Sequence, residues 1–463
     1  MKYLTCCMFY LFLSGVSLVY SQQTVHVSPG QGTLEAAINS AGAGDVLQLT
    51  AGGVYSLSAG ASTFGNFTFP VTIEVEQGST EKAVICLGPG ASTTKKYYFF
   101  TINDGAALTL RGLDIHGLYD DSAVAASMLI FDARPDPSLA RIGNFRFENC
   151  LFHDFKDYII HGMKDDYARG LIQDSVFVDN VVVYNAKHFL QYKHVSLHHL
   201  EMKNSTIYDL TGMALKIGKI GYRCVLENPN KPYIPLTDET ITPTGFIDHC
   251  TMNNLGDIHG HVQVDEPYHT LRISNCIVTN QQQFDQPPIY FNESTVDSAG
   301  IMSNSCFWNT AGFNGTDPQV YIFRDTIQID PQYRAAAEAD FSLPANSPLR
   351  TFGSNGEPIG DPRWTRTGTG TGDLMVQEMF SMRCFPNPFV EELHIEFNLQ
   401  RESFVTMKIY DILGEEVAIL SNGKEMAGLH TLAWHAGDFK PGIYFVRIIS
   451  GDFTRSEMII LNK

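Results

Sequence analysis

Positive charge is scarce in this 463-residue chain: 32 Lys and Arg stand against 50 Asp and Glu, for a formal net charge of −18. Nucleic acid calls for a basic footprint and an anionic membrane for basic clusters, so neither is expected as a partner. Long apolar runs are missing too. Past residue 21 no window reaches the ~20 consecutive apolar residues that span a bilayer. Residues 1–21, MKYLTCCMFYLFLSGVSLVYS, have Lys2, an apolar centre and small residues at the end. That is the pattern of a secretory signal peptide, cut between Ser21 and Gln22, with no transmembrane segment left after its removal. A disulfide framework is not expected either. Of nine cysteines, Cys6 and Cys7 leave with the signal, while Cys150, Cys250 and Cys276 share one repeat position where serine alternates, as small buried core residues do. Cys250 and Cys276, on neighbouring turns, are the one pair close enough for a bridge. Zinc spacing is absent: His161, His259, His261 and the pair His198–His199 have no cysteine or suitably spaced carboxylate beside them.

What the chain has is repetition. LRISNCIVTNQ (271–281) returns as FRFENCLFHDF (145–155), GLIQDSVFVDN (170–180), LEMKNSTIYDL (200–210), GFIDHCTMNNL (245–255) and GIMSNSCFWNT, which ends at Thr310; LTLRGLDIHGL (108–118) is a looser copy. Each copy alternates apolar residues, then places a small one (Cys150, Ser175, Ser205, Cys250, Cys276, Ser305) and an apolar pair. Four residues past the small one comes Asp154, Asp179, Asp209, Asn254, Asn280 or Asn309, with Gly117 in the early copy. Period-two alternation means strand, and Asn, Asp and Gly tolerate a left-handed turn. A strand–turn unit returning about every 25–30 residues, unable to bury its own apolar face, is a solenoid. The expected fold is all-β: a parallel β-helix with the small residues stacked inside and an Asn/Asp ladder at one corner.

Before the first repeat, TLEAAINSAGAGDVLQLTAGGVY places Thr33 as N-cap of a short amphipathic helix, then Gly44–Asp45 and a strand. A helix there covers the open end of a solenoid. The passage resembles the N-terminal cap of right-handed β-helix proteins of the pectate-lyase-like group, in which "GD–strand–Gly-x-Tyr" follows the capping helix, as Gly44, Asp45, Gly53 and Tyr55 do here. Early strands are expected at about 71–77, 83–87 and 97–103. DFSLPANSPL (340–349) and GDPRW (360–364) resemble the closing segment of such helices, so the solenoid is drawn over 22–364. The Gly/Thr run of 365–375 reads as a linker.

Residues 376–463 alternate apolar and polar at short spacing, as a small antiparallel β-sandwich does. Phe385-Pro386-Asn387-Pro388, Ile409-Tyr410-Asp411-Ile412-Leu413-Gly414, Pro441-Gly442-Ile443-Tyr444 and Lys463 are similar to the type A sorting domain of the type IX secretion system. The resemblance implies a Bacteroidetes-type outer membrane, export by the type IX machinery through 376–463, and a protein that is secreted or held at the outer-membrane surface.

The repeat register places another strand after each corner: 158–163, 188–193, 213–218, 261–266 and 288–293. Alternation turns Ile160, Leu190, Leu215, Val262 and Ile289 inward. One outward row is then His161, Gln191, Lys216, Gln263 and Tyr290, and the next Met163, Lys193, Gly218, Asp265 and Asn292. Such a row is rich in groups that bind sugar hydroxyls and carboxylates, and the loop 219–244 brings Lys219, Arg223 and Lys231 beside it. The solenoid resembles the chondroitinase-B/alginate-lyase branch of polysaccharide lyases in architecture, although that family's Asn-Lys-Ser base segment is not found. Breaking a uronate polymer by β-elimination takes a cation or donor to neutralise the carboxylate and a base to remove the neighbouring proton. Lys216 is the expected base, with Lys193, Lys219 or Arg223 neutralising and His161 beside it. Gln191, Gln263, Tyr290 and Asn292 are the expected sugar contacts. Asp265, Glu266 and Glu293 are candidate oxygen ligands for Ca²⁺ doing the neutralising work. The expected partner is an extracellular acidic polysaccharide. Two other readings stand beside the lyase, a non-catalytic glycan-binding adhesin and a structural surface protein. Asp165–Asp166 alone points to a hydrolase of the polygalacturonase type.

Overall fold

The computed structural model describes residues 22–119, 123–131, 140–162, 171–192, 195–217, 244–256, 260–265, 270–292, 300–312, 321–365, 380–387, 389–399, 403–411, 416–426, 428–437, 439–450 and 453–462. The chain divides into two compact units, Met1–Thr369 and Gly370–Lys463.

The first unit is a parallel β-helix of three sheets. One sheet runs from Thr24–Val27 to Tyr321–Arg324, a second from Gly30–Gln31 to Cys306–Trp308, and a third from Gly65–Phe67 to Ile289–Asn292. Successive strands within each sheet pair in parallel, because each coil adds one strand to each sheet. Apolar side chains from all three sheets fill one continuous core.

The eleven-residue repeat is two strands rather than one. In the coil of residues 270–292, Thr270–Ser274 belongs to the first sheet and Ile277–Thr279 to the second. Between them Asn275 is left-handed at φ 52°, and Asn280 closes the second strand at φ 53°. Two corner ladders therefore run along the solenoid where one was expected. The first is Asn149, Asn180, Asn204, His249, Asn275 and Asn304; the second is Asp154, Asn185, Asp209, Asn254, Asn280 and Asn309. Asparagine suits both because it tolerates the left-handed region and its amide bonds to the coil below. Asn204 Nδ2 donates to Asp179 Oδ1 at 2.8 Å, Asn275 Nδ2 to Asp248 Oδ1 at 2.9 Å and Asn254 Nδ2 to Asp209 Oδ1 at 2.7 Å. Asn185 donates to Asp154 likewise. In the early coil Gly112 takes the first corner at φ 66°. Gly117 is not left-handed, but a Cβ there would stand 2.5 Å from Asp154 O.

Register corrects one copy. Val176 pairs with Phe145 and Leu200, so that repeat begins at Val176 and not at Gly170. Val181, not Ser175, occupies the small position, and Asn185, not Asp179, the second corner. Strand Leu171–Asp179 extends upstream of the corner, and its longer alternation offers a second frame that apolar pattern alone does not reject. The remaining small residues do stack: Cys150, Ser205, Cys250, Cys276 and Ser305 are all buried. They satisfy backbone that the corner leaves open. Ser305 Oγ donates to Ser303 O at 2.8 Å and accepts from Cys276 N at 3.1 Å, and Ser205 Oγ does the same between Lys203 O and Val181 N. Cys276 Sγ accepts from Cys250 N at 3.4 Å. The two thiols are free, so the bridge considered between them is not formed.

Asn275→Ala tests the corner. It loses the bond to Asp248, the bond from Ser354 N to Asn275 Oδ1 (2.9 Å) and the residue type that tolerates φ 52°. The expected loss is about 1–3 kcal/mol of solenoid stability, read from the denaturation midpoint. Asn275→Gly, which keeps the backbone, should lose less; equal losses would mean that the left-handed geometry contributes nothing.

The capping helix is Thr33–Ser40, with Leu34 and Ile38 buried against the first coil. Its N-cap is Gly32 at φ 76° rather than Thr33; Thr33 starts the helix and its hydroxyl donates to Gly30 O at 3.1 Å. A left-handed glycine lets the chain turn straight from strand Gly30–Gln31 into the helix. Asp45 accepts from Gly42 N at 2.7 Å and Gln23 N at 3.1 Å, and Tyr55 OH donates to Val27 O at 2.7 Å. Those bonds give the Gly-Asp and Gly-x-Tyr passage its structural role.

After the last coil, residues 344–365 form a strap across the outer face of the second sheet. Gly360 N donates to Asn275 O at 2.7 Å, Asp361 N to Thr251 Oγ1 at 3.0 Å and Trp364 Nε1 to Thr206 Oγ1 at 2.7 Å. Leu349 and Ile359 pack with Ile277 and Cys306 into a small core of their own.

The second unit consists of two antiparallel sheets. One has three strands and the other four, closed over Leu393, Ile395, Phe397, Val405, Met407, Ile409, Val446 and Ile448. Asn387, from the Phe-Pro-Asn-Pro opening, accepts from Ile460 N at 2.9 Å and so ties the first strand to the last.

Candidate functional site

The outer face of the third sheet carries one unbroken row over eight coils. Pairing runs Asn66, Thr101, Ile130, His161, Gln191, Lys216, Gln263, Tyr290, each in register with the next. Strand spacing of about 4.8 Å makes the row ~34 Å long. Beneath it Ile160, Leu190, Leu215, Val262 and Ile289 are fully buried. Strict alternation does not account for the position before them: Ile159, Phe189, Ala214 and His261 are buried as well. The chain bends as it enters this sheet, so two successive residues face the core.

Within the row, Lys216 Nζ donates to Gln263 Oε1 at 2.8 Å. Gln191 and Gln263 are buried, and His161, Lys216 and Tyr290 half-buried. Gln191 Oε1 is buried and has no hydrogen-bond partner among the described residues. Beside the row, Tyr158 stacks on His161 at 4.2 Å and on His188 at 5.2 Å between ring centroids. Of the neighbouring row, Asp265 pairs in register with Asn292. Met163, Lys193, Gly218, Lys219, Arg223, Lys231, Glu266, Glu293 and the pair Asp165–Asp166 lie outside the described residues. Two of the three candidate Ca²⁺ ligands are among them, and within the described residues no three His, Cys, Asp or Glu converge on a point that would hold a metal ion.

The described histidines singled out from sequence do not share a site. His161 faces outward on the third sheet. His261 is fully buried inside the helix, where burial pushes its pKa down to about 4 and keeps the ring neutral. His199 lies on the first sheet, its Nδ1 2.8 Å from Thr244 Oγ1.

Two further features leave little or no sign in the sequence. At the N-terminal end of the row, Ser62, Thr63, Asn66, Thr68, Tyr98, Thr101, Asn103 and Ile130 line a concavity of about 440 Å³. The second is an aromatic stack on the second sheet: His116, His153, Tyr184 and Tyr208 follow one another at centroid spacings of 5.2, 4.7 and 5.0 Å. His153 is clamped, Nε2 lying 2.9 Å from Asp114 Oδ1 and Nδ1 2.7 Å from Asp154 Oδ2. Sequence holds a weak trace of this stack, since His116, His153, Tyr184 and Tyr208 each precede or lie one short of a corner residue.

Burial lowers the pKa of His153, but bonding and charge from Asp114 and then Asp154 outweigh it and leave the pKa above the ordinary 6.5. The stabilisation is fully present below the unfolded value and is lost as pH rises through the folded one. His249 on Asp248 shifts in the same direction. His153→Gln is therefore expected to flatten part of the stability loss as pH rises above about 6.5, measured by thermal unfolding at several pH values. An unchanged profile would show that the clamp is not linked to folding.

Residues 245–364, the last coils and the strap, match a family described as Domain of unknown function (DUF5123). Residues 383–462 match the Secretion system C-terminal sorting domain. The chain thus carries a signal for secretion and attachment at the cell surface, and among the described residues no helix is long and apolar enough to cross a membrane. No curated protein matches the chain. Solved structures similar to it include a mutant of the PL6 family alginate lyase AlyGC (TM-score 0.47, 17% identity, covering 67% of this chain and 40% of that one). The same lyase without the mutation aligns at TM-score 0.40 and 18% identity, over 67% of this chain and 38% of that one. The tailspike protein gp49 of Acinetobacter baumannii bacteriophage Fri1, a capsular polysaccharide depolymerase, aligns at TM-score 0.26 and 10% identity over 96% of this chain and 78% of that one. The chain spans about two fifths of the length of the alginate lyase chains it matches.

Proposed function

We propose that this secreted, surface-directed β-helix binds an extracellular acidic polysaccharide along the outer row of its third sheet and cleaves it by β-elimination. The observation that carries the reading is the register of His161, Gln191, Lys216, Gln263 and Tyr290 on five successive coils. Their repeat of about 4.8 Å is close to the length of one sugar unit, so a chain lying along the axis meets a new polar group with each residue. In this reading Lys216 removes the proton beside the uronate carboxylate, and the buried Gln191 Oε1 takes a sugar hydroxyl, which would satisfy its acceptor. Lys193, Arg223 and the oxygen ligands Asp265, Glu266 and Glu293 remain candidates for neutralising the carboxylate, the last three through Ca²⁺.

A second reading, binding without cleavage, is favoured by one contact. The Lys216 ammonium already donates to Gln263 Oε1 at 2.8 Å, which suits holding a carboxylate better than taking a proton. The chain from residue 22 onward, incubated with a panel of uronate polymers, separates the two. Growth of the ultraviolet absorbance of an unsaturated sugar end supports elimination. Binding with no such absorbance on any polymer establishes the second reading, and no binding at all removes both.

A further inference from the structure

The two outer faces of the second unit are unlike. Its four-stranded sheet consists of Glu416–Glu425, Ser403–Asp411, Gly442–Ser450 and Phe453–Leu461. Val405, Met407, Ile409, Val446 and Ile448 are buried, so alternation turns Phe404, Lys408, Tyr410, Phe445, Arg447 and Ile449 outward. Register lays Tyr410 beside Phe445 and Lys408 between Arg447 and Ile419. Phe404 and Ile419 are each 55% exposed, and Phe445 and Ile449 each 37%. The three-stranded sheet buries Leu393, Ile395 and Phe397 and presents Glu392, His394, Glu396, Thr431, Ala433 and His435 on its outer side. There Glu392 lies 3.9 Å from His394 and 3.7 Å from His435, and Phe385 packs against His394 with ring centroids 5.7 Å apart. One face is thus polar with its charges set against one another, as a solvated surface is. The other is apolar around a basic centre, in a chain whose net charge is −18.

That basic centre is incompletely satisfied. Lys408 and Arg447 stand directly opposite each other in the sheet, an arrangement of like charges that lowers stability. Glu416 neutralises Lys408 at 2.8 Å. Arg447 is half-buried, and its Nε is buried without a hydrogen-bond acceptor among the described residues. A buried guanidinium N–H with no acceptor costs further stability. A carboxylate docked on Arg447 would remove both costs. Aromatic and aliphatic side chains around an arginine are the make-up of a protein–protein interface core.

We infer that the outer face of the four-stranded sheet is the surface by which the export machinery recognises this unit, and that its partner is a protein presenting apolar side chains around a carboxylate. A sorting domain has to be read by a component of the export path, and of its two faces this one has both apolar area and an unanswered charge. An anionic lipid surface asks for a cluster of cations, whereas Lys408 is already paired with Glu416. The inference is independent of what the solenoid binds.

The test expresses the full chain in a bacterium that has the type IX system and compares the amount at the cell surface and in the medium with the amount retained in the periplasm. Phe445→Ser with Ile449→Thr should cut export about tenfold or more, as truncation of central interface anchors does, while the purified variant keeps the wild-type unfolding temperature. Arg447→Glu should lose export to a similar degree and Arg447→Lys should keep most of it; this pair is decisive if the first variant is destabilised. Glu396→Gln with Thr431→Ala, on the opposite face, should be exported like the wild type. A photo-crosslinking side chain in place of Phe445 should trap a protein of the machinery, and one in place of Thr431 should not. Normal export of both the Phe445/Ile449 and the Arg447→Glu variants overturns the inference, as does an equal loss from the opposite face. It is also overturned if the purified chain binds vesicles of anionic phospholipid, or dimerises in sedimentation, and Phe445→Ser abolishes that behaviour. The face would then serve a lipid surface or a second copy of the chain.

Discussion

Lys216→Ala is expected to lower the turnover of a uronate polymer by about 10²- to 10⁴-fold, the usual contribution of a positioned general base, while changing substrate affinity far less. Lys216 stands at the middle of the outward row, anchored on both sides by Leu215 and Ile217, which point into the core. Its position is therefore set by packing, and loss of the side chain leaves the strand where it is. Lys216→Arg distinguishes the two roles a cation can have here. Arginine keeps the charge and the donors but stays protonated at any workable pH, so it can hold a carboxylate and cannot remove a proton. If Lys216 is the base, Arg keeps binding and does not restore turnover, and kcat falls in both variants. Recovery of turnover by Arg would move the base elsewhere and leave Lys216 a neutralising role. Full activity in the alanine variant would end the proposal for this residue.

Trp364→Ala is expected to cost the β-helix about 3–5 kcal/mol, the largest structural effect of any substitution considered. Trp364 is buried in the strap, edge-on to Phe341 at 5.5 Å. Its Nε1 donates to Thr206 Oγ1 at 2.7 Å, and that hydroxyl donates in turn to Asp361 Oδ2 at 2.6 Å. Asp361 is almost fully buried; burial raises its carboxyl pKa more than Arg363 and the hydrogen bonds lower it. Removing the indole leaves a cavity and an open path for water to this carboxylate. Trp364→Phe keeps most of the packing and loses the N–H, for about 1–2 kcal/mol. Hydrogen exchange across 344–365 and the denaturation midpoint of the solenoid measure both. Unchanged protection in Trp364→Ala would show that the strap holds without its anchor.

The corner residues explain why so much of the coil was legible. Asn275 and Asn280 occupy backbone that few residues tolerate, and Cys276 occupies a position where a small Cys or Ser recurs in most coils, so each leaves a mark in the sequence. Copies with such marks were aligned correctly. The copy near residue 175 was misframed because Leu171–Asp179 is a long strand whose alternation continues past the frame, and period two does not say where a strand begins. The third sheet has no comparable punctuation. Counting from the corners gives its row from His161 to Tyr290, but Asn66, Thr101 and Ile130 belong to early coils whose copies are loose, and the concavity they line has no sign in the sequence. The His153 clamp brings together Asp114 and Asp154, and residues so far apart in the chain carry no sign that one imidazole lies between them.

Local chemistry alone determined that this chain is a solenoid of stacked strands ending in an antiparallel tail: left-handed corners, small core positions and period-two alternation are requirements on individual residues, and they show wherever they are met. Only the tertiary structure decided which coil lies on which. Register is a property of the pairing between coils and brings Asn66 onto one line with Lys216, while the bend into the third sheet sets His261 inside rather than outside and the strap carries Trp364 back to Thr206.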